Sequence, residues 1–205
     1  IYALLLFFLS IEVASSKCVN GVDNKMRLHD LYDGKKDIVF ENFAILTYDN
    51  LKRPSCTERG GGSIVLPGYF QVISGKVHVK KRISITGAAH LAFNLEKNSM
   101  IVGIVCKNGK SNTPFLDDDF CYVDLFAFAQ PKEFKNFKSE GAYDIFDIPG
   151  DWREMKPIMT EDNPYIEGEW KVSANLNMAG TVLGGIQVGE EWIEVSTMDD
   201  AKDEL

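Results

Sequence analysis

The sequence predicts an all-β fold, an immunoglobulin-like two-sheet β-sandwich with one short helix, on three observations. The segment Trp170 to Met178 alternates apolar and polar residues without a break, the signature of a half-buried strand. Shorter runs of the same period recur along the chain, separated by turn-forming residues. Pro149, Pro157 and Pro164 break any long element in the stretch before the last strands.

Taken in order, the first strand candidates are Ile38 to Tyr48, Ile64 to Leu66 and Tyr69 to Ile73. Val77, Val79, Ile83 and Ile85 then alternate with Lys76, His78, Lys80, Arg82 and Ser84, with Lys81 interrupting the apolar face. Four basic or imidazole side chains on one face fit an edge strand guarded against aggregation, or a contact with anionic headgroups or an acidic partner. Leu91, Phe93 and Leu95 alternate up to the turn at Lys97-Asn98-Ser99, and Met100 to Val105 reads as a central strand, apolar on both faces. A helix is expected around Phe120 to Phe128, limited by Pro131. Ala179-Gly180 then turns the Trp170–Met178 strand back into Val182, Ile186 and Val188, with Gly184-Gly185 leaving room for a bulge.

The ends read as addresses. Ile1 to Ile11 is apolar and uncharged, too short to span a bilayer but suited to the core of a signal peptide, with cleavage expected after Ser16; the missing Met suggests a truncated start. Lys202, Asp203, Glu204 and Leu205 form a retrieval signal for a receptor of the endoplasmic reticulum, on a polar tether at 197–205. The expectation is a signal peptide at 1–16 and one domain at 17–196, of which 17–63 is unassigned, in the endoplasmic reticulum lumen or secreted. A formal charge of −8 argues against nucleic acid. Cys18, Cys56, Cys106 and Cys121 suggest two disulfides among three possible connectivities, and the expected one joins Cys106 to Cys121 and therefore Cys18 to Cys56.

A search for catalytic chemistry finds no motif. Gly103 to Ser111 has five residues between its glycines where a phosphate loop needs four, and Gly60-Gly61-Gly62-Ser63 lacks the strand and helix that phosphate cradling requires. His29, His78 and His90 have no metal-ligand spacing around them. The run Asp117-Asp118-Asp119 lacks a calcium loop's spacing and glycine. No enzyme, metal or cofactor is therefore expected.

The ordered segments resemble the ML family of lipid-recognition domains, in particular its ganglioside-activator branch. The likeness runs from Ile64-Val65-Leu66-Pro67-Gly68 through Phe93-Asn94-Leu95-Glu96-Lys97 to the strand ending at Cys106. It continues with Phe120-Cys121-Tyr122-Val123-Asp124-Leu125 and Glu140-Gly141-Ala142-Tyr143, and closes with Gly168-Glu169-Trp170-Lys171-Val172 and Gly184-Gly185-Ile186-Gln187-Val188. The chain departs from the family at Gly185, where a cysteine is usual, and that difference agrees with Cys18 pairing to Cys56. The resemblance implies a splayed sandwich that admits acyl chains. The expected inner wall is Phe93, Leu95, Ile101, Val105, Trp170, Val172, Leu176, Met178, Ile186 and Val188. Phe146, Ile148, Trp152, Met155, Ile158 and Met159 are expected at the mouth, in transient membrane contact or capping the sandwich end.

The functional expectation is non-enzymatic binding or transfer of a lipid of the glycolipid, phospholipid or sterol class in the secretory pathway. The alternative is a protein-interaction or chaperone-like module of the endoplasmic reticulum lumen with a filled core.

Overall fold

The alternating segments pair into a single hydrogen-bonded sheet of twelve strands. The computed structural model describes residues 18–83, 89–114, 116–125, 140–144 and 166–198, with 153–155 described as backbone. The strands are β1 (Lys25–Asp30), β2 (Ile38–Asp49), β3 (Ile64–Leu66), β4 (Gly68–Val79), β5 (Ala89–Lys97) and β6 (Ile104–Lys107). After β7 (Lys110–Ser111) comes a one-turn helix α1 (Asp118–Cys121), then β8 (Tyr122–Asp124), β9 (Gly141–Asp144), β10 (Arg153–Met155), β11 (Gly168–Met178) and β12 (Thr181–Thr197). The order across the sheet is β10-β4-β2-β1-β12-β11-β5-β6-β7, and β3, β8 and β9 pair with β12, β5 and β4. Pairing is antiparallel except for β3 beside the end of β12.

The sheet folds over on itself. Phe70 and Val72 of β4 pack against the cluster that holds Leu95 and Val105 of β5 and β6, strands remote from β4 in the order. One core shared by strands from opposite ends of the order fits the sandwich-like arrangement that the period of two predicts. The fold is all-β as expected, with the two layers drawn from one continuous sheet. The C-terminal hairpin has the expected partners, from Val172↔Val188 to Met178↔Thr181.

Several local expectations are corrected. The segments 69–73 and 76–85 are one strand up to Val79; it ends there, and Lys81 instead pairs with Asp37 at 2.6 Å. Nor is the basic segment an edge. Lys76 lies between Glu41 of β2 and Asp144 of β9, and His78 Nε2 contacts Glu41 Oε2, so neighbouring strands supply acids where like charges were expected to stand alone. Met100 to Gly103 form a turn rather than a central strand, because Ser99 Oγ accepts from the amides of Ile101 at 3.2 Å and Val102 at 3.3 Å and Gly103 takes φ +56°. The helix expected around Phe120 to Phe128 is interrupted: Asp118–Cys121 form one turn, Leu125 is helical again after a strand, and 126–128 lie outside the described residues. Cys121 is tied to Cys106, and Tyr122–Asp124 continue as a strand on His90–Ala92.

Both disulfides, Cys18–Cys56 and Cys106–Cys121, are the expected ones. They indicate an oxidising secretory or extracellular environment. No helix among the described residues is long and apolar enough to cross a membrane.

The region before β3, unassigned from sequence, is organised by a buried polar knot. Asn24 and Thr47 are fully buried. Asn24 Nδ2 donates to the Thr47 carbonyl at 2.9 Å and Gly21 N donates to Asn24 Oδ1 at 2.7 Å. Thr47 Oγ1 donates to the Ser55 carbonyl at 3.1 Å, and Ser55 Oγ to the Ser63 carbonyl at 2.8 Å. Satisfied buried polar groups specify one geometry, because any slip leaves a donor unpaired. The knot thus fixes the turns that enter β1 and leave β2.

Candidate functional site

The apolar residues of the fold differ in how deeply they are buried. One buried cluster gathers Met26, Ile45, Leu95, Val105, Trp170, Ile193 and Val195, and a second gathers Ile38, Phe43, Val77, Val79, Leu176 and Leu183. Between them lie inward-facing apolar side chains that are only half-buried. Phe70, Phe93, Val172 and Val188 pack on the first cluster, Leu91, Met178 and Ile186 on the second, and Leu28 and Val72 on both. Leu28, Leu91, Phe93, Val172, Met178, Ile186 and Val188 come from β1, β5, β11 and β12, and Phe70 and Val72 from β4. These half-buried side chains leave accessible apolar surface beside two well-buried clusters.

Nine of the ten residues expected on the inner wall are buried in the core clusters or packed against them. Leu95, Val105, Trp170 and Leu176 are buried in the clusters, and Phe93, Val172, Met178, Ile186 and Val188 line the accessible strip. Ile101 is corrected: it is 89% exposed, on a turn outside the sandwich. Leu28, Phe70 and Val72 were missed, although Phe70 and Val72 share one parity on β4 and carried the signal. Of the expected mouth residues, Met155 belongs to β10, where it faces Gly68 in the ladder, rather than to an irregular loop. Phe146, Ile148, Trp152, Ile158 and Met159 lie outside the described residues, as do the signal segment and Lys202–Leu205.

The structure brings together a different apolar surface at one end of the sandwich. The register aligns the start of β1 with the end of β2, the end of β5 with the start of β11, and the latter with the end of β12. Turns at this end carry Met100 at 104% exposure with Ile101 at 89%, Val22 at 68%, Leu51 at 65% and Val19 at 52%. Each turn is held from within. Val19 N donates to Asp23 Oδ2 at 2.9 Å, Leu51 N to Asp49 Oδ1 at 2.9 Å, and Ile101 N to Ser99 Oγ at 3.2 Å. Among the described residues five of the eight exposed large apolar side chains fall on turns at this end, the others being Ile104, Phe120 and Tyr122.

Cations accompany these tips. Lys52 Nζ lies 5.3 Å from the Tyr69 ring centre, and Lys97 Nζ lies 5.7 Å from that of Trp170. Burial holds the Lys97 ammonium below its ordinary pKa, partly offset by the Glu167 carboxylate. Trp170 Nε1 donates to the Ile166 carbonyl at 2.6 Å, which fixes the indole at the base of the apolar end.

Of the histidines, His90 stacks on Tyr122 at 4.5 Å between ring centres and His29 is exposed on β1. Among the described residues there is no group of three His, Cys, Asp or Glu side chains placed to hold a metal ion. No protein-family model matches the chain, and no curated protein matches it.

Proposed function

We propose that this protein binds a lipid without a chemical step, holding its apolar portion between the wings of the folded sheet and meeting the membrane with the apolar end. The observation that carries this reading is the half-exposed strip between two sealed clusters, with Leu28 and Val72 touching both. Each methylene moved from water into such a space contributes about 0.8 kcal/mol, so even a short acyl chain supplies a substantial driving force. The apolar turns supply the means of approach, since side chains such as Met100 and Ile101 gain free energy only when something covers them. The resemblance to the ML family agrees with this arrangement.

The test is native mass spectrometry of protein secreted from cells, followed by organic extraction and lipid analysis. A stoichiometric lipid that is lost on extraction supports the reading and identifies the ligand class. A clean apo mass, unchanged after incubation with phospholipid and sphingolipid, refutes it and moves the apolar end to a protein partner, as expected of a chaperone-like module.

A further inference from the structure

A groove of about 670 Å³ lies outside the apolar interior, where β12 changes neighbours. Through Val188 that strand is laddered to β1, and from Val195 it runs beside β3. Between them Gly189 to Trp192 bulge out of the ladder, around a glycine at φ +70° whose Cβ would stand 2.5 Å from Ile193 Cγ2. The opposite wall is the loop Thr57 to Gly62. Thr57 N donates to the Gly61 carbonyl at 2.9 Å, Thr57 Oγ1 to the Gly60 carbonyl at 2.8 Å, and the disulfide at Cys56 anchors the loop.

The charges along this groove are arranged in an unusual way. Lys25 and Arg27 reach the outer face because Met26 between them is buried, and Arg59 joins them from the loop. Glu190, Glu191 and Glu194 of the adjacent strand line the same groove. Among the described residues none of these six has an ion-pair partner, so the groove keeps opposite charges apart. A simple anion drawn to one wall is repelled by the other, and so is a simple cation. A ligand bearing both charges a few ångströms apart satisfies both walls. Trp192 also lines the groove, and its ring takes a cation: Lys171 Nζ sits 4.4 Å from the ring centre.

We propose that this groove binds a zwitterionic phosphoammonium group of the phosphocholine or phosphoethanolamine type. The phosphate lies toward Lys25, Arg27 and Arg59, and the ammonium lies against Trp192 and the three glutamates. The source is a membrane lipid headgroup or the free compound. The membrane source rests on the reading of the apolar end. Lys25 stands three residues beyond Val22, at most roughly 10 Å away, comparable with a headgroup layer of about 5–8 Å per leaflet.

The experiment is calorimetric titration of the full mature chain with phosphocholine, with inorganic phosphate and choline as separate probes. Saturable phosphocholine binding is expected, with each half-ligand at least about tenfold weaker. Arg59→Glu and Glu191→Lys should each weaken phosphocholine by about tenfold or more, whereas Lys35→Glu, in the turn after β1, should not. Absence of saturable binding overturns the proposal, as do phosphate binding as tightly as phosphocholine and charge-reversed variants of native near-ultraviolet circular dichroism that bind like wild type. Competition of free phosphocholine against flotation with phosphatidylcholine vesicles identifies a lipid source, and saturation without competition identifies a soluble one. Phosphocholine carries no acyl chain, so failure here leaves the interior lipid reading standing, and an empty interior leaves the groove standing.

Discussion

Replacing Met100 and Ile101 together by serine tests the membrane-facing end most directly. Both side chains stand almost wholly in solvent on the β5–β6 turn, so the folded state has no packing to lose there. The change in stability should stay within about 0.5 kcal/mol, as for surface substitutions generally. The bound state is different. Full burial of one such side chain contributes about 1.5–3 kcal/mol, so removing two costs about 3–6 kcal/mol if both enter the acyl region. Taking the lower figure, at 1.4 kcal/mol per tenfold, partitioning onto vesicles should fall by about a hundredfold. Flotation with neutral phosphatidylcholine vesicles reads this quantity free of net electrostatic attraction, and thermal unfolding of the same samples reads stability. Equal flotation of variant and wild type would refute the assignment of this turn to the membrane. A large loss of thermal stability would show that the two side chains are structural instead.

Four further outcomes follow from the same geometry. Val188→Phe fills the strip: with space between the wings it should leave stability within about 1 kcal/mol and abolish co-purifying lipid, whereas in a filled core overpacking costs about 1–3 kcal/mol; retained lipid load in mass spectrometry counts against the cavity. Asn24→Ala should cost about 1–3 kcal/mol in urea unfolding, because the Thr47 carbonyl loses its donor and the Gly21 amide its acceptor inside the knot. Loss of Cys18–Cys56, which spans 38 residues, should destabilise by about 4 kcal/mol, and loss of Cys106–Cys121, which spans 15, by about 3 kcal/mol, on the loop-entropy account; a reversed order in double Cys→Ser variants would contradict that account. For Lys97, a folded-state pKa below 10.5 means that the unfolded chain binds more protons in the alkaline window just under 10.5, so stability gains a rising component with pH there; Lys97→Met should remove it, and identical pH slopes for the two proteins would exclude the effect.

The sequence and the structure agree where one physical rule acts alone. Trp170 to Met178 form a strand as their alternation predicts, with Trp170 buried beside an exposed Lys171, although Asn175 on the polar side is buried too and accepts from the Tyr32 hydroxyl. The disagreements fall where a second force competes. Lys76 to Arg82 look like an exposed basic edge only while Glu41 and Asp144 are out of view, and those acids arrive through pairing with β2 and β9. Within the expected helix, Tyr122 to Asp124 go to a ladder beside a disulfide, both long-range constraints. Met100 to Val105 is the instructive case. Hydropathy sends an apolar run inward, but the hydroxyl of Ser99 and the left-handed φ of Gly103 close a turn that holds Met100 and Ile101 in water. The position of a turn is legible in Asn98-Ser99, whereas the use of its apolar tip is not, because pattern reading assumes that apolar side chains are spent on the protein's own core. A surface meant to be covered by something else breaks that assumption. The misplacement of Ile101 therefore carries more information about function than the correct placement of Leu95: Leu95 would be buried in any sandwich, while two fully exposed apolar side chains on a braced turn call for a partner.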